Sequence, residues 1–330
     1  MSKRPRTLDS FFSPPPLKRP KAIKEEPDED ERVDPSAPSD KRDGLLHSKH
    51  ETYPFDVPCL PSELRETLNF VPASEGRVIR DQPDLDLLYY TPFVPKEAQA
   101  DLFEFLRREL FFYRVRYTIK RGPVETAINT PRFTTVFGID DTARFKDGNI
   151  CHTITGAPVP KDTYKTCQPR PLPKCLDVLR ELTENATGCR FNFALVNYYA
   201  NGNDSISYHS DDERFLGNEP AIASFTLGGA RDFLLKHKPT PEKHISETKP
   251  TKLLLTSGDM VLMRGKTQSC WLHSIPKRKG GQADKGRINI TFRRAMVRGG
   301  TENYYRYNVG DGPPHKWSAS SRTLEPWTGP

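Results

Sequence analysis

Two histidines and an aspartate carry the clearest chemistry in this sequence. The segment Tyr208-His209-Ser210-Asp211-Asp212-Glu213 places a histidine and a carboxylate two residues apart. On an extended backbone, residues i and i+2 point to the same side, so both side chains can reach one ion. A third ligand has to come from elsewhere, and His273 in Trp271-Leu272-His273-Ser274 is the best candidate. Two neutral imidazoles plus one carboxylate, with other positions left open, is the set favoured by non-haem Fe(II) oxygenases. A histidine next but one to an aspartate is common on protein surfaces, so the pattern gains its weight from a later strand. The other histidines (His47, His50, His152, His237, His244, His315) lack such a setting.

That strand is Arg287-Ile288-Asn289-Ile290-Thr291-Phe292-Arg293, which alternates strictly. Arg287, Asn289, Thr291 and Arg293 share one face; Ile288, Ile290 and Phe292 share the other. The ordinary interpretation is a half-exposed strand with a solvated face. Two guanidiniums bracketing two short hydrogen-bonding side chains make this face unusual. Six residues of strand span roughly 20 Å at about 3.3 Å per residue, and inward-folded arginine stems narrow that gap to what a five-carbon diacid can bridge. The planar fork of arginine binds a carboxylate through two hydrogen bonds. A second strand, Phe191 to Tyr199, carries Phe191, Phe193, Leu195, Asn197 and Tyr199 on one face. An apolar face ending in Asn197 and Tyr199 suits the point where packed core gives way to a ligand pocket, although an ordinary core also accommodates both.

The elements that must position these residues follow from periodicity. Pro95 to Leu110 predicts an amphipathic helix, with Pro95 at its first position and Ala98, Leu102, Phe105, Leu106 and Leu110 on one stripe. A second helix is predicted from Leu172 to Thr187, with Leu176, Leu179 and Leu182 inward and Gly188 as its stop. From Phe191 the texture becomes that of short β-rich segments: FNFALVNYY, AIASFTLG, RDFLLKH, TKLLLTSGDMVLM and RINITFR. Helices followed by closely spaced strands predict an α+β fold with a sandwich or barrel at its centre. No internal repeat is visible.

The chain has 330 residues, 35% hydrophobic content, 31 prolines and a net charge of +7. That length accommodates one sizeable core plus tails, and the modest basic excess suits a nucleic-acid partner without requiring one. The six cysteines (Cys59, Cys151, Cys167, Cys175, Cys189, Cys270) show no close C-x-x-C pair, which argues against a zinc ribbon or finger and for reduced thiols inside the cell. No apolar run approaches membrane-spanning length and no apolar signal core opens the chain, so the expectation is a soluble protein. Residues 1–52 read as a disordered tail, basic at Lys18, Arg19 and Lys21 and acidic from Glu25 to Glu31. Residues 53–84 read as a mixed connecting segment with a short helix near Ser62–Leu68, 85–298 as the folded domain, and 299–330 as an extension packing on it.

Taken in order, Asn197-Tyr198-Tyr199, His209-Ser210-Asp211-Asp212-Glu213, Trp271-Leu272-His273-Ser274 and Arg287-Ile288-Asn289-Ile290-Thr291-Phe292-Arg293 resemble the AlkB family of nucleic-acid dealkylating dioxygenases. The likeness runs from about Leu85 to Met296 and is closest to the eukaryotic DNA-repair homologues 2 and 3. It implies a double-stranded β-helix (jelly-roll) core with flanking N-terminal helices and a nucleotide-recognition lid. It implies Fe(II) on His209, Asp211 and His273, with O2 as oxidant. It implies 2-oxoglutarate held by Asn197, Tyr199, Arg287, Thr291 and Arg293, with Arg293 nearest the keto-acid end and Arg287 on the distal carboxylate. Asp212 matches a position that contacts the damaged base. Pro131 to Gly138 resembles the lid stretch, which makes Arg132 and Phe137 candidate substrate contacts, and Tyr164 is the candidate aromatic for stacking on a flipped base. The duplex-filling finger falls between Ile119 and Asn129, where IKRGPVETAIN lacks an aromatic wedge.

The implied activity is oxidative demethylation of 1-methyladenine and 3-methylcytosine in DNA, coupled to 2-oxoglutarate decarboxylation and releasing formaldehyde. Arg278 and Lys279, with Lys277, Lys236, His237 and Lys238, are candidate backbone contacts, sequence-blind and salt-sensitive. The implied partner is alkylated DNA, single- or double-stranded, and the implied enzyme is a nuclear monomer. RNA demethylation is the alternative within the class; a non-catalytic, clamp-tethered DNA-binding module is the alternative outside it. Leu8-Asp9-Ser10-Phe11-Phe12 fits the aliphatic and paired-aromatic half of a sliding-clamp (PCNA) peptide, with Pro5 where glutamine usually stands. Lys3-Arg4-Pro5-Arg6 and Lys18-Arg19-Pro20-Lys21 fit nuclear-import signals, and Ile23-Lys24-Glu25-Glu26 fits a sumoylation consensus.

Overall fold

Strict alternation and short β-rich runs build two antiparallel sheets. In a computed structural model, residues 47–329 are described apart from 69–71, 122, 165–166, 241–247 and 311. The peptide Leu8–Phe12, the two basic signals and Lys24 lie outside the described residues. Eleven strands matter to the site: β1 (Arg77–Ile79), β2 (Leu87–Tyr90), β3 (Phe133–Gly138), β4 (Phe193–Tyr199), β5 (Ile206–His209), β6 (Ile222–Gly228), β7 (Arg231–His237), β8 (Thr251–Leu255), β9 (Met260–Met263), β10 (Trp271–Ile275) and β11 (Arg287–Arg293). The larger sheet has the order β1-β2-β9-β6-β11-β4-β3 and the smaller β5-β10-β7-β8. Every pairing among them is antiparallel. The fold is therefore α+β and sheet-rich.

β11 is central in the larger sheet. It pairs with β4 in the register Asn197↔Asn289 and with β6 in the register Thr226↔Asn289. Ile288, Ile290 and Phe292 are fully buried on its apolar face. Each such side chain contributes about 1.5–3 kcal/mol by leaving water, which fixes the register because a one-residue slip would exchange the faces. The apolar face is closed by helices α1 (Ser62–Leu68), α2 (Lys96–Glu109) and α3 (Lys174–Thr187) together with the strands around them. Pro95 sits at the N-cap of α2 rather than inside its first turn, and Ala98, Leu102, Phe105 and Leu106 are buried. Gly188 ends α3 in the left-handed conformation (φ 70°) that glycine adopts most cheaply.

The packed core starts earlier than Leu85. His47–Ser48 pairs with Val57–Pro58, and Ser48 Oγ accepts a hydrogen bond from the Lys174 amide. Tyr53, Val57, Leu60, Leu64 and Leu68 are all buried in the main core. These apolar residues stand singly among prolines and charges, so no periodicity announces them. At the other end, α4 (Thr301–Val309) buries Tyr305 completely, and a hairpin of His315–Ser318 with Thr323–Pro326 follows it. Two further hairpins, Arg116–Arg121 with Val124–Asn129 and Ala143–Lys146 with Asn149–His152, flank β3 in sequence. No helix among the described residues is long and apolar enough to cross a membrane.

Candidate active site

His209 and His273 face each other across the β5–β10 pairing, in the wall of a cavity lined by residues of both sheets. Their ring centroids are 4.3 Å apart. Asp211 follows β5, and its carboxylate lies 4.0 Å from His273 Nε2. Ligand atoms of all three lie within 4.8 Å of one another. His209 Nδ1 is 2.9 Å from the carbonyl of Ser207, which can only accept, so Nδ1 carries the proton and Nε2 offers its lone pair. The Asp211 amide donates to Gln268 Oε1 at 2.8 Å, fixing the backbone behind the carboxylate.

The electrostatics suit a cation. Burial pushes His273 down to about 3, helped by His209 and opposed by Asp211. Burial lowers His209 as well. Both imidazoles are neutral at physiological pH, the form that ligates. Burial pushes the Asp211 carboxyl up, but Arg293, His273 and His209 outweigh it and hold the group at about 2. The carboxylate is thus ionised while almost fully buried.

The polar face of β11 is buried rather than solvated. Arg287, Asn289, Thr291 and Arg293 all line the cavity, which has a volume of about 610 Å3. Arg293 Nη2 donates to Asp211 Oδ1 at 2.7 Å, and the same guanidinium bonds the Tyr304 hydroxyl. Arg287 donates from Nη2 to Thr226 Oγ1 at 2.8 Å and stacks on Tyr199 at 5.2 Å. Its Nε and Nη1 are buried with no partner, as is Arg293 Nε. Burial lowers the Arg287 pKa to about 10, with Tyr199 partly offsetting it, so the group stays charged at neutral pH. A buried guanidinium with no carboxylate partner is costly, and its free N–H groups mark where an anion belongs. From β4, Leu195, Asn197 and Tyr199 point into the same space; Asn197 Oδ1 accepts from Arg132 Nε at 2.8 Å. Asn289 donates to Ser224 Oγ at 2.9 Å and to the Phe225 carbonyl, and Thr291 donates to the Leu195 carbonyl.

A family model described as the 2OG-Fe(II) oxygenase superfamily matches residues 86–293, which include the triad and all of β11. DNA oxidative demethylase ALKBH2 of Bos taurus is 36% identical over 155 residues, 47% of this chain and 52% of that protein. Alpha-ketoglutarate-dependent dioxygenase alkB homolog 3 of Homo sapiens is 40% identical over 136 residues, 40% of this chain and 47% of that protein. The chain belongs to the AlkB family of 2OG-Fe(II) oxygenases. DNA oxidative demethylase ALKBH2 of Arabidopsis thaliana is 29% identical over 242 residues, 67% of this chain and 71% of that protein. The chain spans about half the length of the two mammalian relatives.

Fe(II), 2-oxoglutarate and O2 are the cofactors of this AlkB-family chain. The residues present fit them. A buried, ionised carboxylate and two neutral imidazoles form a donor set for Fe(II). The orphaned N–H groups of Arg287 and Arg293 on one strand are what a dicarboxylate satisfies.

Of the residues expected at the substrate, Arg132 lines the cavity, whereas Phe137, Tyr164, Asp212, Arg278 and Lys279 do not. Phe137 is fully buried and packs on Phe111 and Tyr53. Asn197 pairs with Thr134 and Leu195 with Val136, so the even-numbered positions of β3 share the cavity face and Phe137 points away from it. Tyr164 is buried in a small separate cluster with Ile139, Ala143 and Val159, and it too is absent from the cavity wall. Asp212 is exposed next to the triad and pairs with Lys238 at 2.8 Å. Arg278 pairs with Asp232 at 3.2 Å, and Lys279 is exposed; neither lines the cavity.

Other wall residues went unanticipated. Tyr304, Tyr307 and Asn308 of α4 line the cavity while Tyr305 on the other side of the helix enters the core. The aromatic run Tyr304-Tyr305-Arg306-Tyr307 was the available signal, since i and i+3 share a helical face. Glu213, two residues beyond Asp211, also lines the cavity, with Oε2 buried and its pKa raised by burial.

Proposed function

We propose that this protein oxidatively demethylates N-alkylated bases, 1-methyladenine and 3-methylcytosine, in DNA. The observation carrying this reading is a His209–Asp211–His273 triad, half-buried at His209 and buried at the other two, beside orphaned arginine N–H groups in one cavity. Relatives named DNA oxidative demethylase ALKBH2 supply the substrate class.

His209 Nε2, Asp211 and His273 would hold Fe(II), which with 2-oxoglutarate supplies O2 activation coupled to decarboxylation to succinate. Arg287 binds the distal carboxylate through its free Nε and Nη1. Arg293 serves the keto-acid end and keeps Asp211 ionised. Asn197 and Tyr199 shape the diacid site, Thr291 adds a hydroxyl beside it, and Arg132 braces Asn197 at its rim. Apolar walls from Leu195, Phe233 and Met263 limit water around the reacting carbon. Hydroxylation of the N-methyl carbon gives a hemiaminal that collapses to formaldehyde and the restored base. A methyl group on the pairing edge is out of reach in a stacked duplex, so the base enters flipped or from a single strand.

The two sheets support a jelly-roll description, and the hairpins at 116–129 and 143–152 are the natural lid. Asp212, exposed next to the triad, with Arg278 and Lys279 on the backbone, completes the DNA contacts. The protein acts as a monomer in the nucleus, tethered to the PCNA clamp through Leu8–Phe12. Purified full chain with Fe(II) and 2-oxoglutarate should release formaldehyde from 1-methyladenine oligonucleotides. Running single-stranded DNA, duplex and RNA side by side ranks the substrates. Absence of formaldehyde from all three, or unchanged release by His209→Ala, would overturn this function.

A further inference from the structure

Outside the catalytic triad, one other cluster of the described residues gathers three metal-ligating side chains. Asp84, His237 and Cys270 bring a carboxylate oxygen, an imidazole nitrogen and a thiol within 4.8 Å of one another. They come from three separate places: the loop before β2, the last residue of β7, and the residue immediately before β10.

The histidine decides the matter. Its side chain is 7% exposed. Its Nδ1 lies 2.7 Å from the Lys238 carbonyl, which can only accept, so Nδ1 bears the proton. Nε2 therefore presents a lone pair, and it is buried with no hydrogen-bond partner. Buried polar atoms without partners are rare and point to a missing group. Asp84 Oδ2 sits 3.7 Å away, too far for a hydrogen bond and well placed for a shared ion. Trp271 packs edge-on against the imidazole at 5.3 Å, and its Nε1 donates to the Pro83 carbonyl at 2.9 Å. The ring is thus held in place by the residue next to Cys270 and the loop carrying Asp84. An imidazole whose second nitrogen is fixed by a backbone carbonyl is the usual form of a metal-ligating histidine.

We propose that Asp84, His237 and Cys270 form a second metal site, distinct from the iron triad and suited to zinc. The mixed sulfur, nitrogen and oxygen set selects Zn(II) over the harder cations, and three protein ligands leave a fourth tetrahedral position for water. Lys266 Nζ, 3.5 Å from Asp84 Oδ1, shares that carboxylate now; it is 62% exposed and free to move into solvent. The bound ion would staple the loop before β2 to the start of β10, three residues before His273. The second site thereby steadies the strand that presents an iron ligand.

The test uses the full chain, stripped of metal by a chelator and titrated with Co(II) as the probe. Cobalt in the iron triad meets only nitrogen and oxygen, whereas cobalt on Cys270 gives a thiolate-to-cobalt charge-transfer absorption in the near ultraviolet. That band should appear in wild type, persist in His209→Ala and vanish in Cys270→Ser and His237→Gln. No band in wild type, or a band unchanged in Cys270→Ser, would overturn the proposal. Should those variants fail to fold, the wild-type chain gives a second readout through alkylation of its thiols by iodoacetamide. With Zn(II) at about ten times its dissociation constant, modification of Cys270 should slow about tenfold while half-buried Cys59 keeps its rate. Equal modification of Cys270 with and without zinc would equally defeat it.

Discussion

Arg293 donates a 2.7 Å hydrogen bond to Asp211 across 82 residues of sequence, with both side chains at most 4% exposed. One guanidinium therefore holds the Asp211 carboxylate ionised while its Nε–H stays buried and unpaired. Removing one partner of a buried ion pair costs roughly 3–5 kcal/mol, because the other charge is left without compensation. Arg293→Ala should lower the urea midpoint of the metal-free protein by that order and weaken Fe(II) retention. Arg293→Lys keeps the charge but loses the fork, and should recover only part of both. A midpoint unchanged in Arg293→Ala would show that the pair contributes nothing to the fold.

Arg287 should behave in the opposite way. It has no carboxylate partner, so its replacement by Met removes an uncompensated buried charge and leaves metal-free stability unchanged or raised. Binding of 2-oxoglutarate should weaken by about 10- to 150-fold, the equivalent of one charged hydrogen bond at roughly 1.5–3 kcal/mol. The differential readout is thermal: 2-oxoglutarate with Mn(II) raises the wild-type Tm but not that of Arg287→Met. Equal stabilisation of both proteins would remove Arg287 from the diacid site.

The contrast between these two arginines shows what was legible in the sequence. Alternation along Arg287–Arg293 gave the two faces, because the period of a strand is fixed by its pleat. It could not give the environment of the polar face, which depends on a second sheet contributed by β5, β7 and β10. The H-x-D spacing carried Asp211 and His209, and the pairing His209↔His273 that completes the triad is a tertiary fact. Phe137 is different, since the information was available. Arg132 and Phe137 are five residues apart, an odd interval, so a regular strand sends them to opposite sides. For Tyr307 the aromatic run signalled a packed helix but not which face of it meets the cavity, and Glu213 gave no signal because it lies in irregular, extended backbone just before a short 3-10 helix.

Tyr307 is therefore the aromatic expected to meet the base. It lines the cavity and is 56% exposed, whereas Tyr164 and Phe137 are both buried elsewhere. Stacking of a base on an aromatic ring contributes roughly 1–3 kcal/mol. Tyr307→Ala should raise KM for a 1-methyladenine oligonucleotide by about 5- to 150-fold, with substrate-free 2-oxoglutarate turnover unchanged. Phe137→Ala should cost about 3–5 kcal/mol of stability through the cavity it leaves, with KM unaltered in the fraction that folds. The reverse assignment, KM moving with Phe137 and not with Tyr307, would return the base contact to β3.

Gly138 tests how tightly β3 is pressed against β4. Its φ is +104°, and a Cβ built there lies 2.1 Å from the Asn192 carbonyl oxygen and 2.7 Å from Phe193 Cα. Both obstacles are backbone, so no rotamer change relieves them. The residue is also pinned on both sides: its amide donates to the Arg170 carbonyl at 2.6 Å, and its carbonyl accepts from the Tyr305 hydroxyl at 2.8 Å. Gly138→Ala must strain a left-handed residue and push apart the start of β4, the strand that delivers Asn197 and Tyr199 to the cavity. Overpacking and strain together should cost about 2–4 kcal/mol, a fall in Tm of about 5–15 °C for a domain of this size. Replacing Tyr305 by Phe removes one hydrogen bond from the same junction and should cost only about 1 kcal/mol. If alanine at 138 were tolerated as well as phenylalanine at 305, β3 would have to be free to shift, and Arg132 could not be the fixed brace for Asn197 that the proposed diacid site requires.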